Sequence, residues 1–306
     1  MQEYPVQPKA TLLLNPSQNP RHPDPSSPIA MHYTERPPHP ALASYIRCLW
    51  AFEASPDDGA AEIQRIVPDG YPEMVLQYGD DACEISANGV QMRQPRFIFA
   101  GQISQPLLLQ PGVRAGLIGI RLQPAGARMF LGIPMHETTD VRLDVALVWA
   151  QQSEHLIDAV CSARDTTARL QLVEQFLRMK LTHSRNTADA AVTHGVRLLQ
   201  SAAGQLSVDA LANCCGLSSR QLERRFQNEV GIPPRLLASI FRFRRVFDLL
   251  EQPRTGSWVS AAIGAGYFDQ AHMIRDFKRF AGLQPQAFHR SLNGLSAAMI
   301  GGETAP

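Results

Sequence analysis

The stretch 266-GYFDQAHMIRDFKRFAGLQP-285 decides the fold of the C-terminal part of the chain, because it repeats an earlier stretch, 216-GLSSRQLERRFQNEVGIPP-234. The two stretches match at an offset of 51 residues, which pairs Ser218 with Asp269, Leu222 with Met273, Arg224 with Arg275, Phe226 with Phe277, Gly231 with Gly282 and Pro234 with Pro285. An internal repeat of this kind indicates two copies of one supersecondary unit.

Each copy predicts a helix with an apolar inner face and a polar outer face. Ser218 is a suitable N-cap, Gln221 can complete a capping box with it, and Asp269 caps the second helix. At about 100° per residue, one side of each helix is apolar and faces inward: Leu222 and Phe226 in the first copy, and Met273, Phe277 and Phe280 in the second. The opposite side presents Arg220, Arg224 and Gln227 in the first copy, and Ala271, Arg275 and Lys278 in the second.

A second short helix is predicted ahead of each copy, over 207–215 and about 258–265, with tight turns at Gly216 and Gly266. This is the arrangement of a helix-turn-helix unit. A long helix is predicted to begin at Pro234 and run to about Leu250, joining the two units. Gly264 lies inside the helix before the second turn, where glycine costs about 1 kcal/mol relative to alanine. We therefore expect the second unit to be the less rigid one.

The distribution of charge points to the same end of the chain. The whole sequence has a net charge of only +1, yet residues 186–292 hold thirteen Lys/Arg against eight Asp/Glu, or +5. The remaining residues hold sixteen against twenty, or −4. Positive charge concentrated on one part of a chain favours binding of a polyanion.

The N-terminal part differs in its proline content and in the spacing of its apolar residues. Residues 1–40 contain ten of the 23 prolines, which predicts a disordered leader over 1–30. Short apolar stretches then alternate with turn signals, predicting strands near 45–52, 63–67, 74–78, 97–100, 107–109 and 117–122. Helical spacing follows over 125–131, 143–161 and 166–181.

The predicted fold class is therefore α+β: a mostly antiparallel β domain with following helices, then an all-α domain of two helix-turn-helix units joined by a long helix. The expected organisation is a leader (1–30), a domain over 31–182 to which the resemblance described next assigns a sensor or dimerisation role, a DNA-binding domain (187–292) and a flexible tail (293–306).

Residues 187–292 resemble the DNA-binding domain of the AraC/XylS family of transcription regulators, on the two repeated stretches quoted above. The stretch from about residue 31 to 159 is similar to the sensor region of many members, around 66-IVPDG-70 and 119-GIRLQPAGA-127. The resemblance implies a regulator with double-stranded DNA as its partner. A small-molecule effector, RNA polymerase and a second copy of the chain are further candidate partners.

In that family the second helix of each unit enters the major groove. Carried over by position, the base-reading residues are Arg220, Glu223, Arg224, Gln270, Ala271 and Arg275. The chemistry suits them, since arginine pairs with guanine, glutamine with adenine and glutamate with cytosine, while alanine touches the thymine methyl. Expected contacts to the DNA backbone come from Gln221, Gln227, His272, Lys278 and Arg279. For any one of these arginines, the alternative is an ordinary solvated or ion-paired surface residue.

Three charged residues lie in or beside the predicted strands and could line an effector pocket: Arg65, Glu73 and Arg121. The alternative is that they lie on an exposed sheet face. Trp50 and Trp149 are interpreted as core residues. No histidine occurs between His39 and His136, so we expect no histidine-based metal site in the β core, and no cofactor is indicated.

The five cysteines include no Cys-x-x-Cys pair and are interpreted as small buried hydrophobes. Cys214-Cys215 could instead form a redox switch. The competing function is an enzyme, a DNA-repair alkyl acceptor fused to the same DNA-binding domain, for which Cys48 beside Arg47 is the candidate nucleophile. We expect no enzyme. No apolar run approaches the ~20 residues of a membrane span and no secretion signal is recognised, so the expectation is a cytoplasmic protein without a membrane partner.

Overall fold

The computed structural model describes residues 32–55, 62–86, 88–251, 257–292 and Leu295. The predicted leader over 1–30 lies outside these residues. The described part consists of two sheets followed by helices, which confirms the predicted α+β class.

Two antiparallel sheets form the N-terminal domain. The strands are β1 His32–Arg36, β2 Ile46–Ala54, β3 Gln64–Ile66, β4 Glu73–Gln77, β5 Cys83–Ile85, β6 Gln91–Arg93, β7 Phe97–Ala100, β8 Leu107–Gln110, β9 Ala115–Leu122 and β10 Arg142–Asp144. The larger sheet has the order β1-β2-β9-β4-β7-β10 and the smaller one has the order β3-β8-β5-β6. All six predicted strands are present.

Eleven α-helices follow or flank the sheets in the described residues. They are α1 Ala127–Leu131, α2 Ala146–Trp149, α3 Gln151–Ser162, α4 Thr166–His183, α5 Ala190–Ser201, α6 Val208–Cys214, α7 Ser219–Glu229, α8 Pro234–Glu251, α9 Trp258–Gly264, α10 Gln270–Ala281 and α11 Pro285–Arg290. Short 3₁₀ turns occupy Pro40–Leu42 and Met135–Thr138.

The predicted helical segment 143–161 is wrong in its first part. Strand β10 reaches Asp144 and pairs with β7, and the helix that follows is broken at Ala150. Ala150 has φ 45°, outside the helical region, so α2 and α3 are separate helices. Helical spacing alone did not reveal this break because the residues on both sides keep an apolar face.

Two large cores correspond to the two parts of the chain. Helices α1–α4 pack on the six-stranded sheet around Phe97, Phe99 and Trp149. Helices α5–α11 surround a second core in which Phe243 of α8 contacts Phe277 of α10 with ring centroids 4.8 Å apart. Since α8 contributes to the packing of both helix-turn-helix units, burial of its aromatic face fixes the units relative to each other.

Candidate nucleic-acid interface and cavity

The first helix-turn-helix unit consists of α6 and α7. Ser207 caps α6, and Ser218 caps α7 through a capping box in which both the Ser218 and Gln221 side chains take part. Gly216 in the turn has φ 64°, a conformation that glycine adopts without strain. Leu222 and Phe226 are fully buried, which confirms the predicted inner face of α7.

The second unit consists of α9 and α10 and repeats these features. Ser257 and Asp269 are the N-caps, and Gly266 in the turn has φ 84°. The N-cap of the first helix and the turn glycine each lie 50 residues after their counterparts in the first unit. The N-cap of the recognition helix lies 51 residues after its counterpart. The turn of the second unit is therefore one residue longer. That extra length contains Phe268, whose side chain is 92% exposed.

The six proposed base-reading residues all lie on the outer faces of α7 and α10 and are exposed. Within the described residues, Arg220, Arg224 and Arg275 have no hydrogen-bond or ion-pair partner. Arg225, by contrast, is half-buried and contacts Asp189 at 3.3 Å. The three outer arginines therefore keep their full hydrogen-bonding capacity for an external acceptor.

The five residues assigned to the DNA backbone are not equivalent. Gln227, Lys278 and Arg279 are exposed, whereas His272 is half-buried with its ring 5.1 Å from that of Tyr267. Gln221 is exposed, but its Oε1 already accepts a 3.1 Å hydrogen bond from the Ser218 backbone N–H. Only the amide nitrogen of Gln221 remains available to a phosphate.

The N-terminal domain contacts both recognition helices at their C-terminal ends. Beside α7, Arg128 donates a 2.7 Å hydrogen bond to Glu229 and Thr139 donates one of 2.7 Å to the Gly231 carbonyl. At the end of α10, Arg65 donates a 3.2 Å hydrogen bond to the Ala281 carbonyl. Burial raises the pKa of Glu229, and Arg128 opposes that rise. The N-terminal domain thus holds both units by the same end, away from the outer arginines.

A cavity of about 70 Å³ lies between the two sheets of the N-terminal domain. Its wall is mostly apolar and includes Trp50, Ile66, Val75, Ile98, Leu107, Leu109 and Leu117. Glu73 and Gln77 line it from β4 together with Val75, because alternate residues of a strand face the same side. Trp50 is buried as predicted, and it also forms part of this wall.

Glu73 and Arg121 form a buried ion pair. The Arg121 Nε donates a 2.8 Å hydrogen bond to the Glu73 carboxylate, which also accepts one of 3.2 Å from the Trp50 indole. Burial alone would lower the pKa of Arg121, but the carboxylates of Glu73 and Asp69 raise it by more. The net pKa is above the ordinary value, so the guanidinium stays charged. The alternative reading of these two residues as an exposed sheet face is wrong, since their exposures are 8% and 1%.

Of the three residues predicted for an effector pocket, the structure brings only Glu73 and Arg121 together, and only Glu73 lines the cavity. Arg65 lies at the contact with α10 instead. A polar wall residue that the sequence analysis missed is Arg142 of β10, whose Nε and Nη1 are buried and have no hydrogen-bond partner among the described residues. Glu84 is nearby, with an oxygen 3.4 Å from Nε. Sequence reasoning misses Arg142 because β10 is only three residues long and two of them fall in the predicted helical segment 143–161.

The interpretation of the cysteines as buried hydrophobes holds only for Cys48. Cys161 and Cys214 are exposed, and Cys83 and Cys215 are half-buried. Burial raises the pKa of the Cys48 thiol well above its usual value, which is the opposite of the activation that an alkyl acceptor requires. In the described residues no group of three or more His, Cys, Asp or Glu side chains could hold a metal ion.

Each half of the chain matches a known domain family. Residues 211–291 match a family described as a helix-turn-helix domain, and residues 34–144 match a domain family of unknown function, DUF6597. No curated protein matches the chain. No helix among the described residues is long and apolar enough to cross a bilayer.

Several solved structures show a weak similarity to the chain. A crystal structure of an apo ToxT variant from Vibrio cholerae strain SCE256 is 11% identical, with a TM-score of 0.43, and the match covers 84% of this chain and all of that one. ToxT from Vibrio cholerae O395 is also 11% identical with a TM-score of 0.43, covering 76% of this chain and 97% of that one. The AraC-like activator CuxR is 14% identical with a TM-score of 0.23, covering 72% and 79%.

The double helix-turn-helix geometry and the family match together define the class: a DNA-binding transcription regulator. Residues 211–291 form a helix-turn-helix domain of the AraC type, as the repeated stretches predicted.

Proposed function

We propose that this chain recognises a specific DNA sequence through α7 and α10 and that a small molecule bound in the N-terminal domain modulates the binding. The observation that supports specific DNA recognition is the pair Arg224 and Arg275. These two residues are equivalent in the repeat, exposed and unpartnered among the described residues. Each would read a base in its own half of the site. Because α8 joins the units, we expect both recognition helices to contact one face of the duplex, about one helical turn (~34 Å) apart.

The cavity between the sheets supports the second half of the proposal. It is lined mostly by apolar side chains, and Arg142 supplies a buried Nη1 that has no hydrogen-bond partner among the described residues. Effector sites combine an apolar wall with a few polar groups that orient the ligand. The favoured effector therefore has an apolar body and a hydrogen-bond-accepting or acidic group that can approach Arg142.

The proposed organisation assigns residues 31–182 to the sensor, with dimerisation as a further role, and residues 187–292 to DNA binding. Acting on genomic DNA would place the protein in the cytoplasm and bring it near RNA polymerase. Catalysis by a Cys48 alkyl acceptor is the weaker candidate, because that thiol is 3% exposed and its pKa is raised.

Selection from a random duplex pool with the full-length protein tests the DNA half of the proposal. We expect enrichment of a site with two conserved blocks about one helical turn apart, and salt-sensitive binding to it. Absence of any enriched sequence would contradict specific recognition. The regulatory half is tested by reporter output: if deletion of residues 1–182 leaves target occupancy and output unchanged under all growth conditions, the N-terminal domain is not a sensor.

A further inference from the structure

Leu295 lies inside the N-terminal domain although it follows the last helix-turn-helix unit in sequence. Its side chain is 3% exposed and packs in an apolar cluster with Trp50, Phe52, Leu109 and Leu117. It also forms part of the cavity wall. The expected flexible tail over 293–306 is therefore wrong at this residue, which is the only described residue beyond 292.

The position of Leu295 connects the cavity to the second helix-turn-helix unit. Leu292 packs against the core of the DNA-binding domain, three residues before Leu295. Three residues of extended chain span at most about 11 Å. Residence of Leu295 in the cavity therefore fixes the end of α11 close to the cavity.

A second contact joins the same cavity to the same unit. Ile66 of β3 and Leu107 of β8 pair with each other and both line the cavity. Their neighbours face the DNA-binding domain: Arg65 donates to the Ala281 carbonyl, and Pro106 lies beside Gly282. This part of the cavity wall is therefore adjacent to the C-terminal end of α10.

The free volume is small while Leu295 is in place. About 70 Å³ accommodates a few water molecules but no molecule with an extended apolar body. The polar group of the wall that lacks a hydrogen-bond partner among the described residues is the buried Nη1 of Arg142, whose Nε is ion-paired with Glu84 at 3.4 Å. A ligand that satisfies Arg142 and fills the apolar space needs the volume that the Leu295 side chain occupies.

We infer that Leu295 is a removable plug of the effector cavity, and that a ligand with an apolar body and an acidic group binds by displacing it. Displacement frees the end of α11 and with it the second helix-turn-helix unit. This inference rests on the proposed effector function. It assigns the regulatory contact to Leu295 and the anion-recognising group to Arg142.

The probe for the test is 1-anilinonaphthalene-8-sulfonate, which has an apolar body and an acidic group and fluoresces in apolar surroundings. Its binding to the full-length wild type is compared with Leu295→Ala and with the matched control Leu147→Ala, since the Leu147 side chain is 78% exposed. We expect one saturable site in Leu295→Ala with a Kd at least tenfold lower than in the other two proteins. Adding Arg142→Gln to Leu295→Ala should raise that Kd at least fivefold.

Equal Kd values in all three proteins, or no binding to Leu295→Ala, would overturn the plug. An unchanged Kd on adding Arg142→Gln would overturn the acidic ligand class. Leu295→Asn, which replaces the leucine with a polar side chain of similar size, provides the same comparison should the alanine variant not fold. Duplex affinity measured with and without the probe separates the two proposals: if the probe binds as expected but no duplex affinity changes, the plug stands and effector regulation fails.

Discussion

Arg128 of α1 and Glu229 at the end of α7 form an interdomain ion pair 2.7 Å long, with the Glu229 side chain 5% exposed. The pair anchors the first recognition helix to the N-terminal domain, whose Thr139 also contacts the Gly231 carbonyl. The second recognition helix is anchored by Arg65 at the repeat-equivalent end. Helices α7 and α10 are therefore both held at their C-terminal ends, and the outer faces proposed to contact a duplex stay exposed.

The first prediction concerns this pair. Arg128→Ala should lower the free energy of unfolding by about 1–3 kcal/mol, because it leaves the buried Glu229 carboxylate without its cation. The loss should be smaller at pH 5 than at pH 8: the pKa of Glu229 is already raised and rises further without Arg128, so at low pH the carboxyl is neutral. Denaturant unfolding at both pH values measures this. Adding Glu229→Gln should recover much of the loss, and an equal loss at both pH values would contradict a role for the charge.

The second prediction concerns the buried pair Glu73–Arg121. Glu73→Gln should destabilise the N-terminal domain by about 3 kcal/mol, because Arg121 keeps only Asp69, 3.8 Å away. The double variant Glu73→Gln/Arg121→Met should be more stable than the single variant, since it removes the buried guanidinium that Glu73→Gln leaves without its main carboxylate partner. Thermal unfolding of the three proteins checks this, and a stable Glu73→Gln variant would show that the pair is not structural.

The third prediction tests the enzyme alternative. Under native conditions a thiol reagent should modify Cys161 and Cys214 first, and Cys48 only after unfolding, because Cys48 is 3% exposed and its pKa is raised. Timed modification followed by peptide mass mapping gives the order. Rapid native modification of Cys48, or methyl transfer to it from alkylated DNA, would favour the alkyl acceptor.

The fourth prediction is that residues 187–292 fold and bind DNA alone. Their core is formed by helices α5–α11, although Val67 and Tyr71 of the N-terminal domain also pack against it. Tyr71 covers Phe241, whose ring centroid is 6.2 Å away, so the isolated domain should be somewhat less stable than in the full chain. A folded fragment without salt-sensitive duplex binding would contradict the assignment.

The two helix-turn-helix units and the long helix between them could be predicted from sequence because their signals are local, whereas α5 and α11 were not predicted. Caps, turn glycines and the apolar stripe lie within a few residues of one another, and Ser218, Gly216 and Phe226 take the expected roles. Strands β5 and β6 were missed because they are three residues long, and β6 is exposed and lacks apolar alternation.

The sites that depend on distant pairing could not be predicted. Arg65 contacts Ala281, 216 residues away, and nothing in the local sequence around either residue indicates the other. The same holds for Leu295, which local composition assigns to a tail and the structure buries in the N-terminal domain. Arg121, predicted for the effector pocket, does not line the cavity, because its guanidinium is paired with the buried carboxylate of Glu73.

The most direct test of the account is the binding of Arg224→Ala, Arg275→Ala and Lys278→Ala to a panel of singly substituted versions of the preferred site. Each arginine variant should lose about 1–3 kcal/mol at the preferred sequence and lose selectivity at one position in its own half-site, whereas Lys278→Ala should weaken all sequences alike. We expect Arg224→Ala to be the more damaging of the two arginine changes, on the prediction that Gly264, the last residue of α9, leaves the second unit less rigid. Equal loss on every sequence for both arginine variants would contradict base reading and make these residues phosphate contacts.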